Sequence, residues 1–176
     1  MRTTYYVAST LDGYIAEPDG GVDFLSLIGG EPDPESYEVF VGSVDALLMG
    51  RRTYDQILGF GAWPYGDRPC WVVSHRGIDP RPEPIVATPG TPRQVYDQIR
   101  QTGANHLWLV GGADLASQFL SAGLLDSLIV SVVPVVLGSG IALFAGLAGA
   151  ISLEYRDAIP RANGIVELSY VPSPTR

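Results

Sequence analysis

The stretch Leu107-Trp-Leu-Val-Gly-Gly-Ala-Asp-Leu115 decides the fold class of this chain. Its apolar first half predicts a buried strand, and a helical pattern begins directly after Gly111 and Gly112. Paired glycines at the carboxyl end of a strand let the backbone approach another group closely, because no Cβ stands in the way. A helix that starts there offers unpaired N–H groups and the positive end of its dipole, which suits a phosphate. By itself a Gly-Gly pair is more often a tight structural turn, so the rest of the sequence must decide between the two interpretations.

Composition limits the classes of protein to which the chain can belong. Its 176 residues suit one domain, expected to span residues 1–176, and 46% of them are hydrophobic against 17% charged. The net charge of −8, with 11 Lys and Arg residues, leaves no basic stripe for a nucleic acid. The single cysteine, Cys70, cannot form an internal disulfide and fits a reducing cytoplasm.

One segment has the length of a membrane span. Residues 127–153 contain no charged side chain and exceed the roughly 18–20 residues that a transmembrane helix needs. A valine-rich start and several interrupting prolines and glycines favour a buried strand and a connection instead. The first residues lead directly into an apolar run without the length of a signal peptide. We therefore predict a protein that is not inserted in a membrane.

Short apolar runs alternate with helical patterns along the chain. Strands are predicted at residues 4–9, 46–49, 71–74, 107–110 and 128–136. Helices are predicted at residues 35–44, 53–58, 92–101 and 114–122, the third with Thr91 as its N-cap and Pro92 as its first residue. This alternation predicts an α/β domain with a mainly parallel central sheet covered on both faces.

The pattern changes towards the carboxyl end. Residues 151–155 and 165–171 predict two strands separated by a turn-rich loop at residues 159–164. They are expected to add an antiparallel hairpin to the edge of the sheet. Residues 79–84 are rich in proline and predict a stiff surface connection, and residues 171–176 predict a frayed tail.

Three further loops follow predicted strands, at residues 8–21, 49–54 and 73–76. In open α/β sheets, ligands bind outside the carboxyl ends of the strands, so these loops are expected to gather beside Gly111 and Gly112. Gly50 allows close backbone approach, Arg51 supplies a forked donor for a phosphate, and Thr53 offers a hydroxyl at a helix start. Together the loops indicate an elongated ligand rich in phosphate.

Basic residues at two of the strand ends bear on the choice of nucleotide. Ser74, His75 and Arg76 could surround a second anionic group. With Arg51 and Arg52, they favour a nucleotide that carries a 2′-phosphate. The alternative is that these arginines are solvated or pair with acids such as Asp55 and Asp67.

The order of these segments resembles that in dihydrofolate reductase, and more closely the stand-alone relatives of the reductase domain of riboflavin biosynthesis. The segments are Val7-Ala-Ser-Thr-Leu-Asp-Gly-Tyr-Ile-Ala16, Met49-Gly-Arg-Arg-Thr-Tyr54, Val73-Ser-His-Arg76 and Leu109-Val-Gly-Gly-Ala113. Pro134-Val-Val-Leu-Gly-Ser-Gly-Ile-Ala-Leu-Phe144 is typical of the riboflavin branch. The likeness covers residues 5 to about 144, and the following hairpin is also expected. It implies a dihydrofolate-reductase-like three-layer fold with a mainly parallel sheet and an antiparallel C-terminal hairpin.

The resemblance implies an NADPH site and assigns residues to it. Ala8 would lie against the nicotinamide, Asp12 and Gly13 in a mobile loop beside it, and Ser131 near the substrate ring. The remaining cofactor contacts would be Gly50, Arg51 and Thr53 on the phosphates, Ser74 with His75 or Arg76 at the 2′-phosphate, and Gly111, Gly112, Ala113 and Leu115 at the pyrophosphate and nicotinamide half.

The chain departs from the family pattern where a catalytic carboxylate is expected on the first helix. Asp23, Asp33 and Glu35 are candidates there, beside Asp12 and Ser131 elsewhere, and none can be assigned as the proton donor. The zinc deaminase domain that accompanies the bifunctional riboflavin enzymes needs paired cysteines, which this chain lacks. No spacing of metal ligands or of a nucleophile and a base can be identified, so no metal site is predicted.

We therefore predict an NADPH-dependent oxidoreductase that acts on a small heterocyclic or sugar-derived substrate. The nearest named activity is reduction of 5-amino-6-(5-phosphoribosylamino)uracil; a dihydrofolate or pterin reductase and a non-catalytic nucleotide-binding module remain alternatives. Residues 127–153 hold more apolar sequence than one strand and one loop need, which predicts a homodimer. His106 is interpreted as a structural or surface histidine rather than a base. The Gly138-Ser-Gly140 segment begins like a dinucleotide fingerprint, but position 143 is Leu and no early βαβ unit contains it.

Overall fold

The computed structural model describes residues 1–28, 34–78 and 84–173. The strands are β1 (Arg2–Thr10), β2 (Tyr14–Ala16), β3 (Ala46–Gly50), β4 (Cys70–Val73), β5 (Ile85–Thr88), β6 (His106–Gly111), β7 (Ser127–Val133), β8 (Ile141–Ala142), β9 (Leu153–Pro160) and β10 (Val166–Pro172). The helices are α1 (Pro34–Gly42), α2 (Arg51–Gly59), α3 (Pro92–Arg100) and α4 (Ala113–Ser121), and a 3-10 turn covers Asp23–Leu27.

Eight of these strands form one sheet in the order β5-β4-β3-β6-β1-β7-β10-β9. The strands from β5 to β7 are mutually parallel, whereas β10 is antiparallel to both β7 and β9. Strands β2 and β8 pair with each other in a separate antiparallel sheet. The predicted mainly parallel sheet with an antiparallel C-terminal hairpin is therefore confirmed.

Alternate side chains of the parallel strands enter two different cores, which is why these strands are apolar almost throughout. On one face, Leu48 and Leu109 pack with α3 and α4 through residues such as Phe119. On the other face, Met49 and Trp108 pack with α1 and α2. The result is the expected three-layer arrangement, with the sheet between two pairs of helices.

The C-terminal hairpin is confirmed, but its strands differ from the prediction. β9 begins at Leu153 rather than 151 and continues to Pro160, because it pairs along its length with β10. The frayed tail predicted from residue 171 is wrong at its start, since Val171 and Pro172 pair with Glu154 and Leu153.

Some elements were not predicted from the sequence. β5 is only four residues long and follows the proline-rich stretch, so its pairing with β4 defines it rather than any pattern of its own. The proline-rich connection at residues 79–84 lies outside the described residues except for Pro84, whose carbonyl accepts a 2.9 Å hydrogen bond from the Cys70 N–H. β7 ends at Val133, before Pro134, which has no N–H to continue a ladder.

The predicted start of α3 is confirmed in detail. Thr91 is the N-cap, and its hydroxyl accepts a hydrogen bond from the Gln94 N–H while the Gln94 side chain accepts one from the Thr91 N–H. This reciprocal capping box satisfies two backbone donors at the helix start.

His106 joins β6 to its surroundings at the amino-terminal edge of the sheet, as its structural interpretation requires. Its Nδ1 lies 3.0 Å from the Ser43 carbonyl oxygen, and its Nε2 lies 2.9 Å from the Thr4 hydroxyl. A carbonyl can only accept, so Nδ1 carries the proton and Nε2 accepts from Thr4. Burial lowers the pKa of His106 below its ordinary value of 6.5.

This lowered pKa predicts a loss of stability in mild acid. The unfolded chain binds a proton at His106 more readily than the folded protein does, so the contribution of this group is fully present above pH 6.5 and is lost as the pH falls through the folded pKa. The free energy of unfolding should decrease by at most about 1.4 kcal/mol per pH unit for this one proton. Denaturant titrations between pH 7.5 and 5, run at about half-unit steps, measure the slope.

The matched comparison uses the two histidines of the chain. His106→Gln should be less stable at pH 7.5 and should lose part of the acid slope, and His75→Gln, at an exposed position, is the control. Identical slopes for the wild type and His106→Gln would contradict the assignment.

Candidate active site

The four predicted ligand loops come together at one edge of the sheet. They follow β4, β3, β6 and β1, and these four strands are consecutive neighbours in the sheet and parallel. Their carboxyl ends therefore lie side by side, as expected, and the strand order shows which loops are adjacent.

At the centre of this edge, the turn from β3 into α2 faces the turn from β6 into α4. A Cβ placed on Gly50 would lie 3.8 Å from the Gly112 nitrogen and 4.0 Å from the Gly111 oxygen. Gly50 has φ −76° and Gly112 has φ −91°, which are conformations that any residue can adopt. Neither glycine is therefore required by its own backbone, and both leave open the space that a side chain would fill.

Gly111 differs from these two glycines. Its φ of +157° is a conformation that residues with a side chain rarely adopt, and its peptide bond to Gly112 is cis. The Thr53 hydroxyl lies over the pair, 3.4 Å from where a Cβ would stand on either Gly111 or Gly112. Thr53 of α2 thus contacts the turn that precedes α4.

Both helices that begin at this edge have free N-terminal donors. No side chain caps α2 at Gly50 or α4 at Gly112. The first N–H groups of each helix have no partner within that helix, and the positive end of the helix dipole lies at the same place. Ala113 and Leu115 are themselves buried, and Leu115 packs in the core beneath α4, so their backbone N–H groups are what this turn can offer to a ligand.

Arg51 lies at the rim of the same edge and pairs with Asp55, which is one of the alternatives that the sequence left open. Its Nε donates to both carboxylate oxygens of Asp55 at 2.8 Å, and one terminal nitrogen donates to the Gly77 carbonyl at 2.8 Å. The pair with Asp55 is exposed, and exposed ion pairs contribute only about 0–1 kcal/mol. Its guanidinium can therefore exchange this partner for a phosphate at small cost.

The loop after β4 is folded around Ser74. The Ser74 hydroxyl donates to the Arg76 carbonyl at 2.6 Å and accepts from the Arg76 N–H at 3.1 Å. Ser74 is nearly buried, whereas the side chains of His75 and Arg76 are exposed. The hydrogen bond from Arg51 to the Gly77 carbonyl joins the start of α2 to this loop.

A row of side chains crosses from β1 to the hairpin. Ala8 pairs with Ser131 of β7, and Ser131 pairs with Glu167 of β10, so the three side chains stand on one face of the sheet. Tyr6, two residues before Ala8, stands on the same face, and its hydroxyl donates to a Glu167 carboxylate oxygen at 2.8 Å. The other oxygen accepts from Arg161 at 3.2 Å.

Sequence reasoning missed three members of this group: Tyr6, Arg161 and Glu167. The alternating pattern of the last strand could have placed Glu167 on one face, but not against a strand more than 150 residues earlier in the chain. Burial and the Glu167 carboxylate raise the pKa of Tyr6 to about 12, so its hydroxyl is protonated at neutral pH.

The Asp12 carboxylate connects the loop after β1 to the loop after β7. Its carboxylate accepts from the Thr10 hydroxyl at 2.6 Å and from the N–H groups of Leu137 and Gly138 at 3.1 Å and 2.7 Å. Chiefly the Thr10 hydrogen bond lowers the pKa of Asp12 to about 2. Asp12 is therefore ionised at neutral pH and has no proton to donate to a substrate.

The other candidate carboxylates are Asp23, Asp33 and Glu35. Asp23 is exposed at the start of the 3-10 turn. Asp33 lies outside the described residues, as does the side chain of Glu35, whose backbone belongs to α1. Among the described residues, Glu167 is the carboxylate whose hydrogen bonds bring it into the row of Ala8 and Ser131.

The Gly138-Ser-Gly140 segment has a steric function. Gly138 has φ +80°, and a Cβ on Gly140 would overlap the Ala16 carbonyl oxygen of β2. Leu143 donates to the Gly13 carbonyl at 2.8 Å, so this segment covers the loop after β1. These glycines let the two loops pack together.

Two kinds of feature do not occur in residues 1–28, 34–78 and 84–173. No helix in these ranges has the length and apolar character that crossing a membrane requires. No group of three His, Cys, Asp or Glu side chains in the same ranges is placed to hold a metal ion.

The mainly parallel sheet lies between two helical layers and has a hairpin at its edge. Two uncapped helices begin at the same edge, one after Gly50 and one after Gly111 and Gly112. Together these features define a dihydrofolate-reductase-like fold. The chain belongs to the RibD C-terminal domain family, whose profile matches residues 3–166. It is 33% identical over 171 residues to the uncharacterized protein YwjB of Bacillus subtilis (strain 168), covering 97% of each chain.

Solved structures agree with this assignment. A putative riboflavin biosynthesis protein from Shewanella sp. PV-4 superposes with a TM-score of 0.89 at 26% identity, over 98% of this chain and 99% of that one. The Thermotoga maritima diaminohydroxyphosphoribosylaminopyrimidine deaminase/5-amino-6-(5-phosphoribosylamino)uracil reductase superposes at 0.76 and 14% identity, over 98% of this chain but 56% of its own. Enterococcus faecalis dihydrofolate reductase complexed with NADP(H) superposes at 0.66 and 15% identity, over 97% and 96%, and shares the fold.

Proposed function

We propose that this protein is an NADPH-dependent reductase of a small heterocyclic substrate. One observation carries the proposal: Gly50 and Gly112 face each other at the starts of two uncapped helices, with conformations that do not require glycine. The space that their missing side chains leave is next to two sets of unpaired N–H groups. The charge of a pyrophosphate suits such a cradle.

The residues around this cradle divide among the parts of the nucleotide. Gly50, Thr53, Gly111 and Gly112, with the first N–H groups of α4 at Ala113 and Leu115, would hold the phosphates. Arg51, Ser74, His75 and Arg76 would surround the 2′-phosphate, with Arg51 exchanging its exposed partner Asp55 for that anion.

Ala8 would lie against the nicotinamide, since it ends the row that leads to Ser131 and Glu167. NADPH supplies a hydride when it is bound; the chain orients the two reactants and keeps water from them. Asp12 would act by fixing the loop after β1, because it is ionised and its oxygens already accept hydrogen bonds from that loop and its neighbour.

The cofactor preference can be measured directly. Calorimetric titration should give much tighter binding of NADPH than of NADH, because charge-assisted contacts to the 2′-phosphate contribute about 1.5–3 kcal/mol. Arg51→Ala should weaken NADPH by roughly tenfold or more and leave NADH unchanged. Arg156→Ala, which removes an exposed arginine of β9, is the control. Equal affinities of the wild type for both nucleotides would refute the preference.

Gly112→Val tests the cradle. The valine can adopt the φ of −91° at this position, and its nearest neighbour would be the Thr53 hydroxyl, so the fold should persist. NADPH binding should be lost, because the side chain occupies the space proposed for the pyrophosphate. Gly149→Val, at an exposed position with no atom within 4 Å of its Cβ, should bind normally. Saturation of a folded Gly112→Val at wild-type concentrations would show that the turn is only structural.

Turnover assays, rather than measurements of cofactor binding, identify the substrate. We expect 5-amino-6-(5-phosphoribosylamino)uracil to support NADPH oxidation, in line with the family to which the chain belongs. The loss of NADPH absorbance measures this oxidation. Oxidation with dihydrofolate or a pterin alone would replace this substrate by the alternative one. Tight NADPH binding without turnover across the whole set would indicate a nucleotide-binding module.

We also propose that the protein is a homodimer. Each chain would form one domain, and the protein would be cytoplasmic. Exposed apolar side chains lie in or beside residues 127–153, among them Val136, Ile151 and Leu153, and they continue on β9 and β10 with Tyr155 and Val166. Light scattering at micromolar concentration should give twice the chain mass of 18.8 kDa. Leu153→Glu should shift this mass towards the monomer, and a wild-type monomer would contradict the proposal.

A further inference from the structure

The two arginines assigned to the 2′-phosphate differ in their surroundings. Arg51 forms an ion pair with Asp55, whose two carboxylate oxygens both lie 2.8 Å from the Arg51 Nε. Arg76, in the loop after β4, pairs with no carboxylate among residues 1–28, 34–78 and 84–173. Asp55 is therefore the acidic group that any anion bound by Arg51 would meet.

The helix keeps Asp55 within reach of Arg51. Asp55 follows Arg51 by four residues in α2, and side chains at this spacing are neighbours on the helix surface. A guanidinium carries several N–H donors. Asp55 takes the donor on Nε and the Gly77 carbonyl takes one on Nη1, so the other N–H groups of Arg51 remain available to a ligand. The pair thus leaves donors for a phosphate but lowers the net charge that attracts it.

The Asp55 carboxylate acts oppositely on the two nicotinamide nucleotides. A 2′-phosphate at Arg51 must either displace the carboxylate, which breaks the existing ion pair, or bind beside it, where the two negative charges repel. Both routes weaken the binding of NADPH. NADH carries a ribose hydroxyl at the same position, and a carboxylate is the group that accepts a hydrogen bond from this hydroxyl in proteins that prefer NADH.

We propose that Asp55 is a specificity-determining residue, which narrows the preference for NADPH over NADH by cancelling part of the charge of Arg51. The inference rests on the proposed function for the place of the nucleotide. It goes beyond that function by naming the residue that limits the preference. Arg51 supplies the contact to the 2′-phosphate, and Asp55 acts on that contact through the ion pair.

The test titrates the full chain with NADPH and NADH by calorimetry and compares the ratio of the two dissociation constants among variants. Asp55→Asn keeps a side-chain oxygen that can accept from the Arg51 Nε, so it removes the charge without releasing the guanidinium. It should bind NADPH about three- to fivefold more tightly and NADH no more tightly, as expected for the charge of an exposed pair.

Two matched variants show where this effect arises. Glu154→Gln makes the same change of net charge in an exposed ion pair on β9, at the other end of the sheet from β4, and should keep the wild-type ratio. In an Arg51→Ala background, Asp55→Asn should leave the ratio unchanged, because the charge that Asp55 cancels is already absent.

The outcomes separate this inference from the proposed function. If the wild type binds NADPH and the ratio is unchanged or reversed in Asp55→Asn, the inference is overturned and the proposed function stands. A ratio that widens equally with and without Arg51 overturns the route through the ion pair. Asp55→Ala is the second variant and should also widen the ratio; its side chain is half exposed, so the fold should tolerate both changes. A wild type that binds neither nucleotide contradicts the proposed function and this inference together.

Discussion

The close approach of two strand-to-helix turns is the constraint on which the rest of this structure depends. β3 and β6 are adjacent and parallel, so Gly50 and Gly112 end their strands side by side and α2 and α4 begin there together. Each helix then packs on a different face of the sheet, which produces the three layers and the two cores. The same geometry directs two helix dipoles to one point, because both helices leave the sheet at the same edge. Fold and candidate site therefore have a common origin in this pair of turns.

The C-terminal hairpin extends the sheet and adds a partly buried carboxylate, that of Glu167, to one of its faces. A turn joins β9 to β10, as it can join any antiparallel pair, and it is β10 that returns to the sheet beside β7. β10 runs antiparallel to β7 and places Glu167 beside Ser131. The side chains of Tyr6 and Arg161 complete its hydrogen bonds, as a partly buried carboxylate requires. A segment that looks peripheral in the sequence thus reaches the middle of the candidate site.

The loops above the sheet are held by specific contacts. Asp12 fixes the loop after β1 to Leu137 and Gly138, and Gly140 lets the following residues approach Ala16. The small sheet of β2 and β8 continues this connection. The glycine at 140, which could be mistaken for part of a dinucleotide fingerprint, is therefore needed for packing of loop on loop, whereas a Cβ at 50 or 112 would come no closer than 3.4 Å to its neighbours. The atoms around each glycine distinguish the two kinds, and these neighbours cannot be deduced from the sequence.

The sequence by itself determined the parallel sheet, its helices and the four loops that follow its strands, because uninterrupted apolar runs, the Thr91 cap and the Gly-Gly turn are local signals. It also indicated the C-terminal hairpin, although not where β9 begins and ends. Only the tertiary structure decided which loops are neighbours, that Arg51 holds Asp55, and that Tyr6 meets Glu167. Those contacts depend on strand order and register, which arise from long-range pairing. A hydrogen bond between residues 161 positions apart leaves no trace in the local pattern of either strand.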